Sequence, residues 1–157
     1  MSPASTLAAS LLFAFGVACI APACAAQPPR PAPACLAMED GWIRLPPAPL
    51  PMLAGFGRIA NRCKGGQEVV AVRSARFGDV SLHETRVVDG VSRMRELERL
   101  PIAAGTEAVL QPGGLHLMLM QPDAALVEGE RVPLVLVLDD GRELAATLVV
   151  ARSPPGR

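Results

Sequence analysis

The chain has 157 residues, the size of one ordinary domain. Its 15 Lys and Arg balance 15 Asp and Glu, and a formal charge of zero excludes the basic surface that a nucleic-acid binder needs to displace counterions. One Trp, four Phe and no Tyr leave no broad stacking platform, and two His exclude any three-histidine ligand set.

The first 29 residues carry no charged side chain. Within them Leu7 to Ile20 is a 14-residue apolar run, the length of a signal-peptide core and too short to span a bilayer. Small residues follow at Ala23-Cys24-Ala25, so residues 1–26 are read as a cleaved export signal and the mature protein as periplasmic. The segment before the run lacks the usual Lys or Arg, which leaves a buried or membrane-tethered helix as the alternative. A lipid anchor on Cys24 is disfavoured because Ala21 stands where Leu or Val is usual. Residues 27–38 read as a Pro-rich linker and the start of the domain, with Gln27 to Ala34 extended. Residues 39–152 form the domain, and residues 153–157 are expected to be a disordered end.

From Trp42 onward, short runs of Val, Leu and Ile recur about every ten residues between Pro, Gly and Asp. Strands are expected over Glu39–Leu45, Leu53–Asn61, Glu68–Ser74, Ser81–Val88, Val91–Glu98, Glu107–Leu110, Leu115–Met120, Val132–Leu138 and Glu143–Ala151. Asp89-Gly90 and Asp140-Gly141 mark tight hairpins, since Gly accepts positive φ. Val132–Leu138 holds a run apolar on both faces and reads as a central strand. Seven to nine short antiparallel strands with no long helical period predict an all-β sandwich or Greek-key barrel.

Cys35 and Cys63 are the cysteines left after signal removal, and an even pair in an exported chain is most simply a disulfide. Closing that loop stabilises by about 3–4 kcal/mol on the chain-entropy picture. A pair of metal-binding thiolates is the alternative, although the spacing matches no metal knuckle.

Two segments concentrate chemistry. A two-residue loop at Asp89-Gly90 sets Thr85 opposite Met94 and His83 opposite Glu96, so these four share one sheet face. In Leu115–Met120 the three Leu alternate with His116, Met118 and Met120. The Leu face is the expected core face, which leaves an imidazole and two thioethers where a solvated strand would carry Thr, Lys or Glu. A lone Met or His is usually packing, but here both histidines of the chain come with a Met on the same face. Thioether sulfur is soft and neutral, so imidazole with thioether suits Cu(I) better than Mg²⁺, Ca²⁺ or Zn²⁺. With no Cys in either segment, a blue-copper electron-transfer centre is disfavoured.

The order His83, ten residues, Met94, twenty-one residues, His116, one residue, Met118 resembles the signature of the PCu(A)C family of periplasmic copper chaperones. Trp42-Ile43-Arg44 before Pro46-Pro47, Ala54-Gly55-Phe56 before Asn61, Leu82-His83-Glu84-Thr85 and Pro112-Gly113-Gly114 are similar too, so the likeness runs from about Trp42 to Val150. The resemblance implies a cupredoxin-like barrel in which His83, Met94, His116 and Met118 hold one Cu(I) near the surface. It also implies delivery of that copper to a respiratory cytochrome oxidase copper-site subunit or another copper carrier. The chain departs from some members in ending on Ser153-Pro154-Pro155-Gly156-Arg157 instead of a His/Met-rich tail, which argues for one copper per chain.

The expected function is therefore carriage by a monomer, not catalysis; a metal-free interaction module using its Met-rich face is the alternative. No paired carboxylate or nucleophile–base arrangement supports an enzyme. Met120 is an auxiliary-ligand candidate on the same face, with rim packing as its default role. Met52 is a candidate cover from a loop, and Glu96 a candidate to orient the second ring nitrogen of His83. Zero net charge leaves no obvious electrostatic handle, so partner docking is expected to rest on the Met face.

Overall fold

Alternating apolar residues punctuated by Gly, Pro and Asp resolve into eleven strands in the computed structural model, which describes residues 28–155. In chain order these are β1 (Arg30–Pro31), β2 (Leu36–Arg44), β3 (Met52–Asn61), β4 (Gln67–Arg73), β5 (Phe77–Val88), β6 (Val91–Glu96), β7 (Leu100–Ile102), β8 (Glu107–Leu110), β9 (Leu115–Pro122), β10 (Arg131–Leu138) and β11 (Arg142–Ala151). No helix occurs among the described residues. The expected signal segment 1–26, including Cys24, lies outside them, as do Gln27 and the last two residues.

The strands form one mixed sheet in the order β6-β5-β9-β8-β3-β2-β11-β10-β4-β7, with β9 also paired to β3 and β1 to β11. Most neighbours are antiparallel as expected, but β2 and β1 run parallel to β11, and β8 parallel to β9. The two pairings with β11 join segments distant in sequence, and local hairpin signals do not encode them. Strands β4 and β5, far apart in this order, line one cleft with Glu96, Leu97 and Glu98, so the sheet rolls up. This is the expected all-β, cupredoxin-like architecture, with more strands than the expected seven to nine.

The rolled sheet encloses one core, to which Ile43, Ile59, Leu117, Leu119, Leu136 and Leu148 each contribute a fully buried side chain. Leu117 and Leu119 come from the Leu face of β9, as the alternation predicts. Gly55 permits that packing: a Cβ there would lie 3.2 Å from the Cβ of Leu117 and 3.3 Å from side-chain carbons of Leu119 and Leu148. Trp42, Phe56 and Met118 are also buried but lie outside this core, on the other side of the sheet, where Trp42 and Phe56 pack together as a smaller apolar patch.

Residues 27–38, read as a linker and the start of the domain, contribute to the sheet. Strand β2 starts at Leu36, which is buried in the core. Within the Pro-rich stretch, Arg30 and Pro31 pair with Arg142 and Glu143, and Ala32 donates its N–H to the Glu143 carbonyl at 2.7 Å. Cys35 and Cys63 form a disulfide with Cα atoms 5.0 Å apart, joining the start of β2 to the end of β3. At the other terminus, Pro154 and Pro155 lie against a cleft that Trp42 also lines.

Candidate metal centre

The turn between β5 and β6 sets the first half of the site. Asp89 and Gly90 have φ of 52° and 77°, the doubly left-handed turn that matches the twist of a two-residue hairpin. The expected register follows: Thr85 opposes Met94, and His83 opposes Glu96. Side chains on one face of a strand alternate, so Ser81, His83 and Thr85 point the same way as Met94 and Glu96.

Strand β9 supplies the second half by lying between β5 and β3. His116 is directly opposite His83, and their ring centroids are 5.9 Å apart. Met118 lies between Ser81 of β5 and Ala54 of β3, and Met120 between Asp79 and Met52. The four residues singled out from spacing therefore stand on one face of three consecutive strands. His83 and His116 form a row, with Met94 toward the hairpin and Met118 on the other side.

Hydrogen bonding fixes the chemistry of His116. Its Nδ1 is 2.9 Å from the Gly114 carbonyl oxygen, which can only accept, so Nδ1 carries a proton and, in the neutral ring, Nε2 presents a bare lone pair. That Nε2 lies 3.2 Å from the Met94 sulfur, itself a weak acceptor. In that neutral form two electron pairs face each other across the contact. Across the row, His83 Nε2 is 3.1 Å from the Ser81 hydroxyl, and His83 Nδ1 is buried without a hydrogen-bond partner. Burial is the main cause that lowers the His83 pKa below its ordinary value. Glu96 and Asp79 oppose that shift and His116 adds to it. The His83 ring thus favours the neutral form that a metal requires.

Two features differ from the sequence reading. The His/Met face of β9 was expected to be the open side of the strand, yet His116 and Met118 are only 7% and 8% exposed. Strand β9 is interior to the sheet, and neighbours on both flanks cover that face. Met94 and Met52, on flanking strands, are 54% and 47% exposed, so the thioether side of the site opens at its rim. The second difference concerns Glu96, which faces His83 in register while Ser81 occupies the ring nitrogen. Ser81 and the Gly114 carbonyl escaped the sequence reading. Ser81 carried one signal, its position two residues before His83 on the same strand face.

The smaller apolar patch abuts the site. Trp42 opposes Phe56, their rings 4.9 Å apart, and Phe56 lies on the same β3 face as Ala54. The Arg44 guanidinium covers both, 5.8 Å from the Trp42 centroid and 5.3 Å from that of Phe56. Among the described residues no three His, Cys, Asp or Glu side chains cluster as a metal site.

Residues 36–150 match the family described as "Putative lipoprotein LpqE-like". The "Putative lipoprotein Lxx21020" of Leifsonia xyli subsp. xyli is 34% identical over 139 residues, 88% of this chain and 82% of that protein. The solution structure of "CuI-DR1885" from Deinococcus radiodurans is 26% identical with a TM-score of 0.62, covering 80% of this chain and 84% of that one. The "Copper-bound PCuAC domain from PmoF2" shares the fold at 18% identity and a TM-score of 0.63, covering 78% of this chain and 97% of that one. With its β-barrel, its His/Met face and this match over nearly the whole described domain, the chain belongs to the LpqE-like family and is of the PCuAC type.

Proposed function

We propose that the protein is a metallochaperone that carries one Cu(I) on His83, Met94, His116 and Met118. The observation that carries this reading is the facing pair of acceptors, His116 Nε2 and Met94 Sδ at 3.2 Å, beside the buried and unpartnered His83 Nδ1. A soft cation relieves all three at once. Imidazole with thioether matches Cu(I), a d¹⁰ ion that accepts neutral ligands. The copper named in the descriptions of the DR1885 and PmoF2 structures supports the same choice.

The arrangement suits transfer better than storage. His116 and Met118 are buried on the central strand, whereas Met94 is exposed at the rim. An incoming ligand can displace Met94 first while the buried pair still holds the ion, so copper leaves stepwise and never as a free ion. Met120 and Met52, opposed across β9 and β3, extend the thioether rim beyond Met118 as auxiliary contacts. The recipient we infer is the copper-site subunit of a respiratory cytochrome oxidase or another copper carrier, served by a monomer in the periplasm. The reading assigns no catalytic step to the protein.

Titration with Cu(I) against a competing chelator tests the reading. One equivalent should bind tightly, and binding should be lost in the double variant His116→Ala, Met118→Ala. Absence of stoichiometric binding would instead make the Met-rich face a surface for protein association. Location is tested separately by fractionation. Cleavage near Ala25 places the mature chain in the soluble fraction. A membrane-bound form released by Cys24→Ser would replace that reading with the lipid anchor that the relatives' descriptions name.

A further inference from the structure

We infer that Arg44 is the docking cation of the copper face, taking a carboxylate from the protein that exchanges copper there. The inference rests on the copper reading above and adds to it the chemistry of the partner. Arg44 lies on β2, and strand alternation puts it on the same side as Trp42. Successive neighbours across the sheet carry this face from β2 through β3 to β9, where Met118 stands. At about 4.8 Å per strand, Arg44 and Met118 are separated by roughly 10 Å, within one Debye length at moderate salt.

Three observations single out this arginine. Its side chain is held over two aromatic rings that are themselves buried, Trp42 at 5% and Phe56 at 3% exposure. It makes no ion pair and no side-chain hydrogen bond among the described residues, whereas Arg58, Arg62, Arg73, Arg76, Arg95 and Arg142 each meet a carboxylate. The residue is exposed, so its planar fork of N–H donors is available to solvent. A stacked guanidinium is already ordered, so little rotamer entropy remains to be lost when a carboxylate engages it bidentately.

Charge on the face complements this assignment. Asp79 and Glu96 lie on β5 and β6, the strands that also carry His83 and Met94, whereas Arg44 lies on the β2 side, beyond His116 and Met118 of β9. An acceptor with its own carboxylate is repelled from the first flank and drawn to the second, which fixes its orientation over the exposed thioethers. A chain of zero net charge thus gains an electrostatic handle that is local, not global.

The test follows Cu(I) removal from the loaded full chain by two probes, the anionic chelator bathocuproine disulfonate and the uncharged chelator neocuproine. The variants are Arg44→Met, which keeps an apolar stem over the rings, and Arg95→Gln as a control on the opposite sheet face. At low salt, Arg44→Met should slow removal by the anionic probe by roughly threefold, and added salt should erase the difference. Removal by neocuproine, equilibrium Cu(I) affinity and the rates of Arg95→Gln should match wild type. An unchanged anionic-probe rate in Arg44→Met, an equal loss with neocuproine, or an equal loss in Arg95→Gln would overturn the inference and leave the copper reading standing. Failure of wild type to take up Cu(I) would overturn both.

Discussion

The imidazole Nε2 of His116 faces the sulfur of Met94 at 3.2 Å, while the other ring nitrogen, Nδ1, meets the Gly114 carbonyl at 2.9 Å. In the neutral ring the Gly114 carbonyl claims the single proton at Nδ1, which leaves Nε2 as a bare acceptor toward the sulfur. A backbone turn therefore sets the tautomer, and the tautomer turns a methionine contact into half of a soft ligand set.

Met94→Leu separates metal binding from folding. The side chain is 54% exposed on edge strand β6, so stability should change by no more than about 0.5 kcal/mol. Second-layer partners of metal ligands are typically worth 10- to 100-fold in affinity, so a direct ligand should cost about a hundredfold. Chelator competition and thermal melts on the same samples check both halves. Met118→Leu, a volume-conserving change at a buried position, should also lose affinity while costing under about 1.5 kcal/mol.

Ser81→Ala tests the support of His83. The hydroxyl is the group that meets His83 Nε2, at 3.1 Å, and its loss frees the ring to rotate. Cu(I) affinity should fall by about tenfold with the fold intact. An unchanged affinity would show that Ser81 does not orient the ligand.

The lowered pKa of His83 has a consequence for stability in the metal-free protein. Burial favours the neutral ring in the folded chain, so the unfolded chain binds more protons as pH falls below the ordinary value of 6.5. The contribution is complete above that value and is lost as pH falls through it toward the lower folded-state pKa. Melting temperature should therefore decline on acidification from about pH 7 to about pH 5, and His83→Gln should decline less steeply. Parallel slopes would contradict this attribution.

Loss of the disulfide should weaken the fold and spare the site. The Cys35–Cys63 bond closes a sequence separation of 28 residues and sits beyond Asn61, at the far end of β3 from Met52. The double variant Cys35→Ser, Cys63→Ser should lose about 3–4 kcal/mol in denaturant unfolding. Its Cu(I) stoichiometry should stay at wild type.

The nine longer strands were legible because each carries its own signal, a run of Val, Leu or Ile bounded by Pro, Gly or Asp. The β5–β6 register was equally local, since Asp89-Gly90 dictates which residues oppose. The short strands β1 and β7 were not legible: each contains a Pro, and each forms only because a partner distant in sequence lies alongside. The same holds for the burial of His116 and Met118. Alternation on β9 placed them on one face, but what covers that face depends on β3 and β5. Ser81 and Arg44 escaped for a related reason, because a hydroxyl or guanidinium becomes part of a site only through neighbours that tertiary pairing supplies.

The central claim is that two imidazoles and two thioethers hold one copper ion. X-ray absorption on the Cu(I)-loaded chain counts those neighbours directly. The account predicts two nitrogen and two sulfur scatterers in wild type, with one sulfur fewer in Met94→Leu. A shell without sulfur, or a sulfur count that Met94→Leu and Met118→Leu leave unchanged, would contradict it.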